Sequence, residues 1–186
     1  MSVRYYSWDQ AVDDDEIERL IQDCETSELQ EAKVGGMEGD LVYGDSNVRK
    51  AGITWVKVTR LLNRVMWSFI TEANENYFKF CLSGHGPIQY AKYVEGEFHT
   101  WHMDAANKKP DEKYIRKLTA VMLLSDPTDY EGGKLEFYAG PDDPASPISK
   151  KGSVVVFDSN AWHRVEPVTK GVRRTLVMWA VGPQFR

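Results

Sequence analysis

From Phe78 to Val181 the chain breaks into short apolar runs that alternate with a period of two, rich in β-branched and aromatic residues. The runs fall at 78–83, 87–95, 98–103, 116–124, 134–138, 153–157, 162–166 and 174–181. A period of two is the signature of a strand with one buried face. Asp126-Pro127 through Gly132-Gly133 and Gly140-Pro141 through Pro144 punctuate the runs as turns. Helical spacing is confined to the chain before them. Asp13-Asp14-Asp15 opens a helix carrying Ile17, Leu20 and Ile21, its acids at the dipole-favoured end. A longer helix over 58–76 stacks Leu61, Leu62, Val65, Met66, Phe69 and Ile70 on one stripe, which suits it to covering a sheet. Residues 3–8 read as an edge strand, Ala51–Val56 as a further strand, and the glycine-bearing 34–49 segment (Gly35, Gly36, Gly39, Gly44) as a loop. Helices first and about eight short strands afterwards, with no βαβ alternation, predict an α+β protein with a β-sandwich or jelly-roll barrel.

The 186 residues suit one domain with a core of its own, spanning 1–186. Apolar residues at 42% and charged residues at 27% are ordinary for a soluble domain. A net charge of −5 argues against a broad nucleic-acid footprint or a membrane-surface protein. Cys24 and Cys81 form no CxxC pattern and read as free thiols of a reducing compartment. The first residues lack the cationic and apolar regions of a signal peptide, and no apolar run reaches the ~18 residues of a membrane span. The cytoplasm is the expected location.

Chemistry concentrates at Tyr93-Val-Glu-Gly-Glu-Phe-His-Thr-Trp-His102-Met-Asp104. On a strand, residues i and i+2 share a face, so the His102 imidazole and the Asp104 carboxylate can converge on one metal ion. A third ligand must come from His85, His99 or His163, the other histidines of the chain. His163 is the strongest candidate, because it opens a strand after the buried run Val154–Phe157; a packed histidine in a turn is the competing reading. His99 lies an odd number of residues from His102 and is expected to face away, and His85, in Ser-Gly-His-Gly-Pro, to sit in a turn. Trp101 and Trp162 alternate away from the ligand candidates beside them. Two histidines and one carboxylate suit a non-haem Fe(II) centre; zinc more often takes an all-nitrogen or sulfur set, or two His and a Glu.

In Lys170-Gly-Val-Arg-Arg-Thr-Leu-Val-Met-Trp179, alternation puts Arg173, Thr175, Val177 and Trp179 on one face, inside a barrel. A buried guanidinium calls for an anion, and its fork fits a carboxylate. Arg174 points to the opposite face. An acidic co-substrate is the natural partner of Arg173.

The set Tyr93…Gly96-Glu97…His102-x-Asp104, Leu124-Ser-Asp-Pro-x-x-Tyr130-x-Gly132-Gly133-x-Leu135 and His163-x-Val165-x-Pro167-Val168-x-x-Gly171-x-Arg173…Trp179 resembles the 2-oxoglutarate/Fe(II) dioxygenases. Within them it is most similar to the prolyl 4-hydroxylase-like branch with its bacterial PKHD-type proteins, over roughly residues 50–186. The resemblance implies a double-stranded β-helix (jelly-roll, cupin-like) core with supporting N-terminal helices. It implies Fe(II) on His102, Asp104 and His163, and the C5 carboxylate of 2-oxoglutarate on Arg173. Tyr93, nine residues before His102, matches a tyrosine that helps hold the co-substrate, with a plain core aromatic as the alternative. Thr119 and Leu123 would line the same cavity; some relatives have a tyrosine where Leu123 falls, so one hydrogen bond to the co-substrate would be missing here.

The implied reaction consumes O2, releases succinate and CO2 and hydroxylates an unactivated C–H, with ascorbate a candidate reductant. A prolyl residue of a protein or peptide is the favoured substrate. A free amino acid or other small metabolite is the alternative, and a non-catalytic β-barrel sensor or binding protein the rival of another class. The resemblance places the 34–49 segment where relatives carry a loop over the substrate. The lysine-bearing stretch 106–117 reads from its charge as a solvated face, with a lid that meets an acidic substrate as the alternative. The chain ends at Arg186, without the C-terminal helical extension of longer relatives, so a monomer is expected.

Overall fold

The computed structural model describes residues 5–25, 30–31, 47–56, 60–105, 113–139 and 145–184. The glycines of the 34–49 segment, the lysine-bearing 106–112 and the 140–144 turn lie outside the described residues.

In chain order, strand β1 (Tyr5–Trp8) precedes helix α1 (Asp14–Glu25). The two-residue strands β2 (Gln30–Glu31) and β3 (Arg49–Lys50) come next, then β4 (Gly52–Val56), helix α2 (Arg60–Ala73) and a π-helical turn (Asn74–Phe78). The remainder is β5 (Gly84–His85), β6 (Ile88–Tyr93), β7 (Phe98–His102), β8 (Tyr114–Leu123), β9 (Tyr130–Gly132) and β10 (Leu135–Phe137), followed by β11 (Val154–Asp158), β12 (His163–Val165), β13 (Val168–Gly171) and β14 (Arg173–Pro183). A major sheet of eight strands runs β1-β11-β8-β14-β6-β4-β2, with β5 attached to β14. A minor sheet runs β10-β12-β7-β3, and β13 pairs with β9. The two sheets form the jelly-roll core, and the pairings between strands are antiparallel.

Asp13 caps α1: its Oδ1 accepts the Glu16 N–H at 2.9 Å, with Asp14, Asp15 and Glu16 in the first turn. Ile17, Leu20 and Cys24 form the buried stripe of α1; in α2 it is Leu62, Met66, Ile70 and Ala73. These stripes pack on alternate residues of the central strands: Leu118, Ala120, Met122 and Leu124 of and just after β8, Val154 and Val156 of β11, and Leu176, Met178 and Ala180 of β14. Each such fully buried Val, Leu, Ile or Met side chain contributes about 1.5–3 kcal/mol. The intervening residues face the barrel interior. There Val121, Leu123, Val155, Phe157, Ala91 and Tyr93 meet Leu135, Phe137 and Val165 of the minor sheet.

Three expectations need correction. Residues 78–83 are not a strand. The π-helical turn ends on Lys79 in the left-handed region (φ 60°), and the Asn74 side chain binds both the N–H (2.8 Å) and the carbonyl (3.0 Å) of Phe80, which wraps this stretch around the helix end. His85 is not in a turn: it pairs with Ala180 of β14, and its ring lies 5.4 Å from that of Trp67. The punctuation before Gly133 contains a strand, β9, which binds β13, so residues 168–171 are strand as well. The tight bend expected at Gly132-Gly133 is present, with both residues at positive φ (72° and 59°). A Cβ on Gly133 would stand 2.9 Å from Val168 Cγ2 and 3.0 Å from Arg173 Cδ, so this glycine makes room for the arginine stem.

Candidate metal and co-substrate site

β7 and β12 pair so that His102 and His163 are directly opposite, which brings their ring centroids to 4.1 Å. Asp104 follows the end of β7. Its Oδ1 lies 3.7 Å from His102 Nε2 and its Oδ2 3.6 Å from His163 Nε2. One donor atom from each of the three residues falls within 4.8 Å of the others, a spread one metal ion can fill.

The hydrogen bonds behind these groups fix their roles. His102 Nδ1 lies 2.8 Å from the Thr100 carbonyl and His163 Nδ1 2.9 Å from that of Ala161. A carbonyl only accepts, so each Nδ1 carries the proton and each Nε2 presents its lone pair toward Asp104. Thr119 Oγ1 donates to Asp104 Oδ2 at 2.7 Å and lies 3.0 Å from Ser159 Oγ. Arg116 Nη1 reaches the Asp104 carbonyl at 3.4 Å.

Electrostatics keep the set ready for a cation. Burial works to raise the Asp104 carboxyl, yet His163, His102, Arg116 and the Thr119 hydrogen bond together hold it well below the usual carboxylate range. Burial, followed by the repulsion of His163, pushes the His102 imidazole down to about 4. A deprotonated carboxylate and a neutral imidazole are the forms that ligate metal.

His99 departs from its expected position. Between β7 and β12 the register advances three residues on one strand for two on the other, since His102 pairs with His163 and His99 with Val165. This bulge rotates His99 onto the face of His102, where the rings stack at 3.5 Å and 19°. Burial and the neighbouring His102 push His99 down to about 2, so it backs the site as a neutral ring. Trp101 keeps its expected outward place, under the Arg164 guanidinium at 4.9 Å and edge-on to Tyr138 at 5.9 Å, and Trp162 is exposed.

Arg173 pairs with Tyr93 across β14 and β6, and both are buried. The guanidinium carbon stands 5.6 Å from the Tyr93 ring centre, and Tyr130 shares a hydrogen bond with the side chain. Arg173 Nε has no partner, and no carboxylate among the described residues lies within ion-pair distance. Burial lowers its proton affinity. Its neighbour Arg174 donates through Nε to Glu25 at 3.0 Å on the opposite face, as alternation requires. Leu123 is buried on the interior face opposite Thr175, with no hydroxyl to offer. Thr119 shares that interior but spends its hydroxyl on Asp104 rather than on open cavity.

Sequence reasoning gave no site role to Tyr130, Ser159 or the pair Arg49–Gln89. Tyr130 was absorbed into a turn motif, although an aromatic before two glycines at positive φ is a usable signal for a tight approach. Ser159 and the pair Arg49–Gln89, joined at 2.8 Å, carry no local pattern at all.

The jelly-roll interior thus brings together two imidazoles and one carboxylate that could hold one metal ion, and an arginine without a counter-ion among the described residues. The family model for the 2OG-Fe(II) oxygenase superfamily matches residues 88–181, half of the chain, and the chain belongs to that superfamily. It is 33% identical over 94 residues to a PKHD-type hydroxylase of Shewanella sp. (strain ANA-3), covering 50% of this chain and 42% of the relative. A PKHD-type hydroxylase of Gloeothece citriformis is 35% identical over 93 residues, covering 50% of this chain and 41% of the relative. The alignments thus span less than half the length of these curated relatives.

Among solved structures, a Pseudomonas putida prolyl-4-hydroxylase superposes with a TM-score of 0.72 at 20% identity, over 96% of this chain and 92% of that one. A prolyl hydroxylase from Trichoplax adhaerens, in complex with a hypoxia inducible factor oxygen degradation domain peptide fragment, gives 0.72 at 17% identity over 95% and 82%. These likenesses establish the fold as that of the double-stranded β-helix oxygenases.

Proposed function

We propose that this protein is an Fe(II)- and 2-oxoglutarate-dependent hydroxylase of a prolyl residue in a protein or peptide. The observation that carries the reading is the convergence of His102 Nε2, the Asp104 carboxylate and His163 Nε2 in the same interior as Arg173, whose Nε has no partner. The donor set fits iron: two imidazoles with their Nδ1 atoms occupied behind them and one deprotonated carboxylate leave open coordination positions. His102, Asp104 and His163 would hold Fe(II), which supplies O2 activation coupled to the decarboxylation of 2-oxoglutarate to succinate and CO2.

The chain's own residues bind, orient and exclude water. Arg173, steadied by Tyr130 and Tyr93, takes the distal carboxylate of the co-substrate. Thr119 and Ser159 orient Asp104, the Thr100 and Ala161 carbonyls set the imidazole tautomers, and Leu123, Val121 and Phe157 keep the chamber dry. PKHD-type relatives and a neighbour solved with a peptide support the prolyl, peptidic substrate. Residues 1–186 act as one domain and a monomer, ascorbate is a candidate reductant, and the cytoplasm is the proposed location. No described helix is long and apolar enough to cross a membrane.

Succinate formation from 2-oxoglutarate with Fe(II) and O2 tests the activity, and a +16 Da shift on proline in the proteome of cells with the active enzyme tests the substrate. Turnover by His163→Ala at the wild-type rate would remove the ligand assignment. Iron binding without any 2-oxoglutarate consumption would point to a sensor instead.

A further inference from the structure

Four buried side-chain polar atoms among the described residues lack a hydrogen-bond partner: Arg49 Nε, Asn63 Oδ1, Arg173 Nε and Trp179 Nε1. Asn63 lies on α2, away from the barrel interior. The other three are N–H donors, and strand register places all three on the interior. Arg173 sits at one end of that interior, in the row Arg173–Tyr93, and the co-substrate carboxylate accounts for it. The other two lie toward the opposite end. Successive interior rows across β14, β6 and β4 are Thr175–Ala91–Ile53 and then Val177–Gln89–Trp55, with Trp179 one step further and opposite Thr119. Each step is about 7 Å along the strand.

Arg49 reaches this end from the minor sheet. It pairs in register with His99, whose ring stacks on His102, and its Nη2 donates to Gln89 Oε1 at 2.8 Å. Gln89 is 3% exposed and Trp179 7% exposed, while Trp55, 44% exposed, stands 6.2 Å from Trp179 at the outer edge. The Arg116 guanidinium carbon lies 4.1 Å from the Trp179 ring centre. Thr119, opposite Trp179, holds Asp104. The unpaired atoms at this rim, Arg49 Nε and Trp179 Nε1, are both donors. An anion accepts from such donors; a cation or an aliphatic group leaves them orphaned.

We propose that this rim is a carboxylate-recognition subsite for the substrate, with Arg49 as its specificity-determining residue. The inference rests on the oxygenase reading of the same cavity and narrows it: the substrate carries a carboxylate close to the carbon that is hydroxylated. Gln89 holds the Arg49 fork in place, and Nε together with Trp179 Nε1 faces the incoming group. The carboxylate has two chemical sources, an acidic side chain flanking the target residue in a peptide or the α-carboxylate of a free amino acid.

Calorimetric titration of the wild-type protein, loaded with Mn(II) and 2-oxoglutarate under anaerobic conditions, separates them. One probe pair is two prolyl peptides differing only in Glu or Gln beside the proline; the other is L-proline and L-prolinamide. Binding at least about tenfold tighter for the acid member of one pair supports the subsite and identifies the source. Arg49→Gln should abolish that preference, and Arg49→Glu should invert it toward a Lys-flanked peptide. Equal affinities within both pairs, binding of no probe, or an acid preference that survives in a folded Arg49→Gln protein would each overturn the proposal. Succinate release with Fe(II), O2 and the tighter-binding probe is scored separately. Its absence beside an intact acid preference removes the oxygenase reading and keeps the subsite, and the reverse result removes the subsite alone.

Discussion

The two faces of the major sheet are built from the same strands and have opposite characters. On the helix side, Leu118, Ala120 and Met122 of β8 and Leu176, Met178 and Ala180 of β14 pack with Met66 and Ile70 as an apolar layer. On the barrel side, the alternate residues of those strands are Thr119, Val121 and Leu123, and Arg173, Thr175, Val177 and Trp179. The first face obtains its stability from burial. The second carries a buried cation and unpaired donors, at a cost of about 1–3 kcal/mol for each unsatisfied group, which the proposed ligands would complete. The helix-covered face thus underwrites the strain of the ligand-binding one. Mutations on the two faces should separate stability from binding.

The largest effect is expected at the proposed metal ligands. His163→Ala removes one of three donors, and we expect Mn(II) affinity, read by calorimetry or by the paramagnetic signal of free Mn(II), to fall more than about 100-fold. That exceeds the about 10–100-fold typical of losing a hydrogen bond behind a ligand, the loss expected of Thr119→Val. On the opposite face, Ile70→Ala leaves a cavity against the sheet and should cost about 2–5 kcal/mol in urea unfolding, with metal affinity at the wild-type value. An Ile70→Ala protein that folds with native stability yet loses metal would break the division between the faces.

Much of this division was legible in the sequence. A period of two specifies which residues share a face, so the placing of Arg173 inside and Arg174 outside needed only one correctly read strand. His102 and Asp104 were visible because they are close in sequence. His163 was visible because a histidine follows a buried apolar run. What could not be read is whatever depends on register between distant strands. The bulge of β7 carries His99 onto His102, and no local pattern announces an inserted residue in an edge-to-edge pairing. Arg49 sits on a two-residue strand beside a glycine-rich stretch, and its meeting with Gln89 is a product of barrel closure across both sheets. The 78–83 run alternates like a strand, but Asn74 satisfies the backbone of Phe80 with its own amide and removes the need for a pairing partner. Periodicity reports which groups want burial; it does not report who else offers a hydrogen bond.

Arg173 sharpens the comparison because stability and binding should move in opposite senses there. Arg173→Met exchanges an unneutralised buried cation for an apolar side chain of similar length. The ligand-free protein should be as stable as wild type or more so, since desolvation of the guanidinium is no longer incurred. Affinity for 2-oxoglutarate, measured by calorimetry with Mn(II) present, should fall about 10- to 100-fold, the worth of a charge-assisted hydrogen bond. A variant that loses stability while binding 2-oxoglutarate normally would show that the arginine serves the fold and not the ligand.

The smallest effect belongs to the residue next to it. Arg174 donates to Glu25 at 3.0 Å across the outer face, but Glu25 also accepts the Tyr90 hydroxyl at 3.0 Å and has Lys92 at 3.8 Å. Removing Arg174 leaves a half-exposed carboxylate that is still hydrogen-bonded and still near a cation. Arg174→Gln should therefore cost no more than about 1 kcal/mol in urea, a difference that shrinks further with added salt because the pair is open to solvent. Its 2-oxoglutarate affinity should match wild type. Because the two arginines differ by one position and one face, an Arg174→Gln protein that binds the co-substrate as weakly as Arg173→Met would mean that the strand's alternation does not decide which guanidinium meets the ligand.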